Sequence, residues 1–308
     1  VEKMLEGKSG SIICMNPANG EILAFASYPD YDLRPFVGPV SQDQWNSWNQ
    51  DPKTPLLNRV VSGESPPGSV FKLVTAALLL GENKHEIKYE CSGEHELSKS
   101  DEGVVESKRC WNPLGHGEIN LKDALKFSCN VYFYKAIDNI RFEDLANISK
   151  DFNFGSTVGV DLPYERRGLI PDPSYMKKRY EYRDENGKWV TDWARKGTKA
   201  NMGIGQGDVL ATPIQVVNLI NIIANKGFSY KPHLVINSRN IGDPKYINID
   251  NGVWRSLNSA MWEVVNSYDG TGKNAKIDDE NTIVRGKTGT AQNPHGDDHS
   301  WFAGYIVA

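Results

Sequence analysis

The sequence predicts one α+β domain, with strands drawn from both ends of the chain and helices between them. Three observations point to it. Two short apolar runs, 11–15 and 21–26, flank Asn16-Pro17-Ala18-Asn19-Gly20, and an Asn-Gly turn between apolar runs is a strong hairpin signal. The run 73–80, Leu-Val-Thr-Ala-Ala-Leu-Leu-Leu, has too few polar residues for a surface helix and reads as a buried one. Near the end, 282–285 and 301–307 read as two strands joined by a polar loop. A sheet closed by its terminal segments is a single domain, although 308 residues alone would suggest about two.

Between these elements the signals vary in strength. Residues 29–58 are polar and Trp-rich with no clear period, and 81–112 read as irregular and charged. Residues 121–125 and 131–137 are two helical pieces meeting around Ser128-Cys129-Asn130, and a further helix covers 142–152. Residues 164–200, rich in proline, charge and aromatics, read as a long ordered loop with little regular structure. Gly203-Ile204-Gly205-Gln206-Gly207 is a glycine-dense turn that does not match the dinucleotide-binding spacing. Thr212-Pro213 opens a helix that ends near Gly227, and 256–265 is another helix candidate.

Composition narrows the function. Hydrophobic content of 39% and charged content of 24% are those of a soluble globular protein. A net charge of −4, with no basic run and no aromatic-basic alternation, argues against nucleic acid as a partner. The longest apolar runs are far short of a membrane span, and residues 1–4 do not open a signal peptide. The chain starts without an initiator methionine and stops inside the strand-like stretch 301–308, so a piece trimmed at both ends is expected. Its four cysteines, Cys14, Cys91, Cys110 and Cys129, are too few for a disulfide scaffold and are not spaced C-x-x-C.

The chemistry gathers in three short elements. Ser65-Pro66-Pro67-Gly68-Ser69-Val70-Phe71-Lys72 leads stiffly into the buried run, placing Ser69 at or near a helix N-terminus. Lys72 follows one turn later, where burial favours a neutral amine able to act as general base for a serine nucleophile. An N-capping serine with a snorkelling lysine has the same S-x-x-K pattern. Ser174-Tyr175-Met176-Lys177 matches it too, but no buried run lies behind it. The second element is Ser128-Cys129-Asn130, set apart from Ser47-Trp48-Asn49 and Ser256-Leu257-Asn258 by its place between two helical pieces. The third is Lys287-Thr288-Gly289-Thr290, the sole K-T-G of the sequence, at the end of a strand. Its glycine allows close backbone approach, the lysine brings positive charge, and the threonines offer hydroxyls to a carboxylate. Taken singly, each element has a bland alternative, a solvated edge strand in the last case.

In that order the three form the signature shared by penicillin-binding proteins and serine β-lactamases. The chain resembles the transpeptidase domain of the class B penicillin-binding proteins, in the elongation-type penicillin-binding protein 2 branch. The resemblance runs from Gly10 to Ala308 and includes Asn19-Gly20-Glu21-Ile22-Leu23-Ala24, Gly159-Val160-Asp161-Leu162-Pro163, and Gly203 to Gly207 before Ala211-Thr212-Pro213. It implies the penicillin-binding protein/serine β-lactamase-like fold. In that fold an antiparallel sheet from both chain ends is flanked by helices, and a mostly helical subdomain occupies roughly 75–200 of the one domain, 1–308.

The resemblance also implies D,D-transpeptidation of peptidoglycan stem peptides ending in D-Ala-D-Ala. Ser69 would attack, Lys72 accept its proton, Ser128 relay a proton to the leaving amine, and Asn130 hold Lys72 and the substrate backbone. Lys287 would add positive potential beside Ser128, while Thr288, Gly289 and Thr290 form the carboxylate end of the site. The N–H groups of Ser69 and Thr290 would make the oxyanion hole. β-Lactams would trap Ser69. The implied partners are a membrane glycosyltransferase and elongation-complex proteins, on the extracytoplasmic (periplasmic) face of the inner membrane, through an N-terminal anchor outside this chain. A serine β-lactamase and a β-lactam sensor domain share the three elements. No further carboxylate motif marks a deacylating water, and sensors are not expected to match the segments around Asp161 and Gln206.

Cys91, Cys110, His116 and Cys129 add something the three elements do not require. His116 stands between two glycines, and three thiolates with one imidazole suit a tetrahedral structural zinc. Some members of the penicillin-binding protein 2 branch are similar in carrying a zinc near the S-x-N element, where it would buttress Ser128 and Asn130. A Cys91–Cys110 disulfide and a merely buried Cys129 are the alternatives.

Overall fold

The computed structural model describes residues 1–84, 86–100, 103–191, 196–236, 242–293 and 296–307. The helix Lys72–Gly81 runs through its centre, and every residue from Lys72 to Leu80 is buried. Around it pack the helices Leu121–Lys126, Asn130–Asp138, Phe142–Asp151 and Asn251–Asn266, whose apolar faces merge into one core. Each fully buried Leu, Val or Ile of that core contributes about 1.5–3 kcal/mol relative to an exposed one. The core therefore fixes the central helix, and with it the start of that helix.

Strands from both chain ends form antiparallel ladders. Gly10–Met15 pairs with Ile22–Tyr28, from Gly10 opposite Tyr28 to a bulge at Cys14/Met15. Ile283–Ala291 pairs with His299–Val307 in unbroken register, from Ile283 opposite Val307 to Ala291 opposite His299. The Pro213–Ala224 helix packs on both Gly10–Met15 and His299–Val307, so one buried helix backs the two ends. Its start carries a capping box: Thr212 and Gln215 each serve the other's backbone, and Pro213 sits at the first helical position. Among the described residues, no helix is long and apolar enough to cross a membrane.

Three stretches are more ordered than their composition predicts. Within 29–58 lies a helix, Gln42–Gln50, capped by the Ser41 hydroxyl at 3.2 Å from the Gln44 amide. It is held by one buried side chain, Trp48, stacked on Phe36 at 5.2 Å. A helix that buries one aromatic leaves little apolar period to read.

Within 81–112, Tyr89–Cys91 pairs with Gly117–Ile119, and Glu94–Ser100 with Gly103–Arg109. That hairpin buries Leu97 between the polar neighbours Glu96 and Ser98, so its strands read as polar. Within 164–200 the structure has the helix Pro173–Tyr180, the short hairpin Glu181–Arg183 and Trp189–Thr191, and the start of the helix Lys196–Gly203. Residues 192–195 of that stretch lie outside the described residues. Asp172 before Pro173 was the available signal, an N-cap followed by proline, and its carboxylate caps Tyr175 at 2.9 Å. The Asn251–Asn266 helix starts five residues earlier than expected because Asp250 supplies the cap.

Candidate active site

The Ser69 element is a single 3-10 turn, Gly68–Val70, leading directly into the Lys72–Gly81 helix. Its approach is pinned on two sides. The Trp301 indole N–H donates to Pro66 O at 3.1 Å, and the Gly68 amide donates to Gly205 O at 2.9 Å. Glycine is required at Gly68 and crowding favours it at Gly289, on the two sides of the contact with the Ile283–Ala291 strand. A Cβ on Gly68, at φ +54°, would lie 2.4 Å from Thr290 O, and one on Gly289 would lie 3.0 Å from Val70 Cγ2. The serine turn thus rests on the K-T-G strand backbone.

Lys72 is fully buried, yet its Nζ finds oxygen on every side. It donates to Asn130 Oδ1 at 2.7 Å, to Ser128 O at 2.8 Å and to Ser128 Oγ at 3.4 Å. Lys287, also fully buried, donates to Ser128 Oγ at 2.9 Å and to Thr288 O at 3.0 Å. One serine hydroxyl therefore sits between two desolvated amines. Burial pushes Lys72 down to about 8, partly opposed by the neighbouring Cys129 and Cys110 thiol pair. Burial, with the charge of Lys72 beside it, pushes Lys287 well below the ordinary lysine range.

Ser128 owes its place to a helix end. The helix Leu121–Lys126 closes with the Ser128 amide donating to Leu125 O (3.2 Å) and the Cys129 amide to Ala124 O (2.9 Å). This is the hydrogen-bond pattern of a Schellman cap, whose left-handed residue is usually glycine. Here that residue is Ser128, at φ +54°. The chain then starts the next helix at once. Cys129 is its N-cap, its Sγ accepting from the Tyr132 amide at 3.4 Å, and Asn130 is the first helical residue. The back-to-back caps bring the Ser128 and Asn130 side chains together over Lys72.

Ser69, Ser128, Asn130, Thr288, Gly289 and Thr290 line one cleft of about 320 Å³, with the Lys72 and Lys287 amines beneath it. Sequence reasoning gave no role to four further residues lining it: Trp111, Ile204, Gln206 and Thr271. Gln206 Nε2 donates to Thr290 O at 3.1 Å, which ties the glycine-dense turn to the K-T-G strand. Trp111 donates its indole N–H to Phe127 O at 2.9 Å, next to Ser128. Ile204 and Gln206 lie in a turn that the sequence marks by its glycines, whereas Thr271 lies in a loop with no motif. A larger cavity of about 440 Å³, between Leu80, Leu121 and Ala260, contains none of the three elements. Ser174 lies on the surface, its hydroxyl donating to Asp172, and Lys177 is exposed.

Beside the cleft, Cys91, Cys110, His116 and Cys129 place four ligand atoms within 4.8 Å of one another. The three cysteines are free thiols. His116 Nδ1 is 3.5 Å from Cys91 Sγ and 3.6 Å from Cys110 Sγ, and Cys110 Sγ is 3.9 Å from Cys129 Sγ. With Zn–S of about 2.3 Å and Zn–N of about 2.0–2.1 Å, tetrahedral edges come to about 3.6 Å (N to S) and about 3.8 Å (S to S). The donor set fits zinc in type and number, and these three separations match the edges. The hydrogen bond shared with Cys129 holds the Cys110 thiol far below the ordinary thiol range, while Cys129 is pushed up by that contact and by burial. His116 also stacks on Phe127 at 5.7 Å, so the cluster abuts the residue before Ser128.

This fold, with the three elements lining one cleft, is that of a penicillin-binding transpeptidase domain. The chain belongs to the penicillin binding protein transpeptidase domain family, which it matches over residues 10–308. It is 30% identical to the peptidoglycan D,D-transpeptidase MrdA of Haemophilus influenzae, over 99% of this chain and 48% of that protein. It is 32% identical to the protein of the same name from Acinetobacter baumannii, over 94% of this chain and 42% of that one. Among solved structures it is similar to Helicobacter pylori penicillin-binding protein PBP2 in complex with MreC. There the TM-score is 0.86 at 34% identity, covering 99% of this chain and 55% of that one. The chain spans about half the length of the curated relatives it matches.

The left-handed serine generates a prediction. Ser128→Gly and Ser128→Ala both lose the hydroxyl, and both are expected to slow acylation by benzylpenicillin by about a hundredfold or more. They part in stability. The glycine variant is expected to be about 1 kcal/mol more stable than the alanine variant, because only alanine carries a Cβ in the left-handed region. Urea denaturation of the two proteins measures the difference, and equal midpoints would contradict the strain assigned to this position.

Proposed function

We propose that this chain is the catalytic part of a peptidoglycan D,D-transpeptidase, working through an acyl-enzyme on Ser69. The observation that carries the reading is the Ser128 hydroxyl held between Lys72 and Lys287 in the cleft that Ser69 lines. Residues 1–308 act as one unit, with roughly 75–200 as the helical insert that supplies Ser128 and Asn130.

In the donor half-reaction, Ser69 Oγ attacks the carbonyl between two D-alanines of a stem peptide. Lys72 takes the hydroxyl proton, which requires its neutral form. The Ser69 and Thr290 amides face the developing oxyanion, an arrangement worth about 2.7–4 kcal/mol per donor in other enzymes. As the C–N bond breaks, Ser128 gives its proton to the leaving D-alanine amine and is resupplied from the lysines it touches. Asn130 holds Lys72 through Oδ1 and offers its remaining amide to the substrate backbone. Thr288 and Thr290 receive the terminal carboxylate, with Gly289 leaving room between them. An acceptor amine from a second stem peptide then attacks the ester, and the same groups return the proton to Ser69. β-Lactams, which carry a strained amide and a carboxylate, would acylate Ser69 by the first half of this sequence.

Zinc is the metal we assign to Cys91, Cys110, His116 and Cys129. It would supply no step of the reaction. By fixing Cys129 it would hold the cap geometry that aims Ser128 and Asn130, which supports a structural role. The relation to PBP2 proteins, one of them solved with MreC, supports elongation-complex proteins as partners, and the family resemblance of the sequence adds a membrane glycosyltransferase. It also supports placement on the periplasmic face of the membrane through an N-terminal anchor.

Fluorescent-penicillin labelling of three proteins tests the nucleophile. Wild type and Ser174→Ala are expected to label equally and Ser69→Ala not at all; the reverse pattern for the two serines would overturn the assignment. The acylation rate is expected to climb as pH rises through about 8, because the neutral fraction of Lys72 grows there. A rate unchanged between about pH 6 and 9 would remove Lys72 as the base. Elemental analysis of protein purified without added metal should find about one zinc per chain. Protein free of zinc, with Cys91 and Cys110 oxidised, would rule the metal out.

A further inference from the structure

The loop that follows the Asn251–Asn266 helix does more than connect. The Schellman cap at the end of the Leu121–Lys126 helix satisfies the carbonyls of Ala124 and Leu125, and the Phe127 amide takes Asp123 O. Lys126 O is left over. Thr271 fills it twice, with its amide at 3.4 Å and its hydroxyl at 3.1 Å. The same hydroxyl accepts from Thr288 Oγ1 at 3.0 Å. The Lys126 side chain is gripped by the same loop, through Asp269 Oδ2 at 3.2 Å. A directed chain therefore runs Thr288 O–H to Thr271 O–H to Lys126 O, joining the K-T-G strand to the helix end two residues before Ser128. Thr271 also lines the cleft.

This chain has a chemical consequence for Thr288. A carboxylate only accepts hydrogen bonds, so Thr288 can bind it only by donating. In the structure that one proton is committed to Thr271. We propose that Thr271 is a positioning residue for the carboxylate end of the cleft. It parks the Thr288 hydroxyl at the right place while the cleft is empty and releases its proton to an incoming carboxylate. When Thr288 turns to the ligand, Thr271 keeps its own donation to Lys126 O, so no buried donor is stranded. The inference rests on the acyl-transfer reading of the cleft, and concerns the recognition of carboxylate-bearing donors and β-lactams.

The test compares benzylpenicillin with its methyl ester, which lacks the charge, on wild type, Thr271→Val and Thr271→Ser. Acylation rates are followed by mass spectrometry and folding by thermal melting. Wild-type protein is expected to prefer the free acid. Thr271→Val, which keeps the shape and loses the hydroxyl, is expected to lose about tenfold with the acid and little with the ester, so the acid-to-ester ratio falls about tenfold. Thr271→Ser is expected to restore the ratio to within about threefold.

Equal losses with acid and ester would show a merely structural residue and overturn the proposal, as would an unchanged rate with the acid. If the valine variant does not fold, the serine variant decides: a folded Thr271→Ser with a collapsed acid-to-ester ratio overturns the proposal, and a preserved ratio supports it. Failure of wild type to acylate at all would instead overturn the reading of the cleft.

Discussion

Two buried amines that share one hydroxyl set the terms for the rest of this structure. Lys72 and Lys287 are fully buried, meet at Ser128 Oγ, and find only neutral oxygens as acceptors. Taking one ammonium out of water costs several kcal/mol even after relaxation, and two of like sign beside each other cost more. Such a pair survives only if the surrounding elements cannot move apart. The core-filling Lys72–Gly81 helix, the double cap at Ser128-Cys129-Asn130 and the Ile283–Ala291 strand meet that demand. The same desolvation that makes the pair costly to hold lowers its proton affinity, and that is the property the chemistry needs.

The double cap is where stability yields to function. Ser128 occupies a left-handed position at a helix end, where glycine would relieve strain of about 1–2 kcal/mol. Cys129 then serves at once as the cap of the next helix and as a member of the thiol-imidazole cluster. Anything that orders the cluster orders the turn, and through it the hydroxyl between the lysines. Trp111 and His116 extend this link, since both lie against Phe127 in front of the turn.

Much of this was legible in the sequence because it depends on local chemistry. A buried run after Pro-Pro-Gly-Ser, a serine between two helical pieces and a glycine inside a terminal strand are each visible in a few residues. The irregular-looking stretches were harder to read for a physical reason. Among the described side chains, the hairpin of Glu94–Ser100 and Gly103–Arg109 buries Leu97 and the Gln42–Gln50 helix buries Trp48, too few to mark a period. Thr271 was invisible for another reason. Its role is to satisfy Lys126 O, left over by a cap 145 residues earlier in the chain. Long-range partners of that kind leave no mark in a window of sequence.

The central claim is that the three elements form one assembled acylation site with Ser69 as nucleophile. Its most direct test is the intact mass of the protein during several hours with benzylpenicillin, followed by peptide mapping of any adduct. A single adduct that persists and maps to Ser69 is the expected result. An adduct that forms and disappears as the drug is hydrolysed would make the site a β-lactamase. No adduct on folded protein would mean that the geometry around Ser128 does not confer reactivity on Ser69.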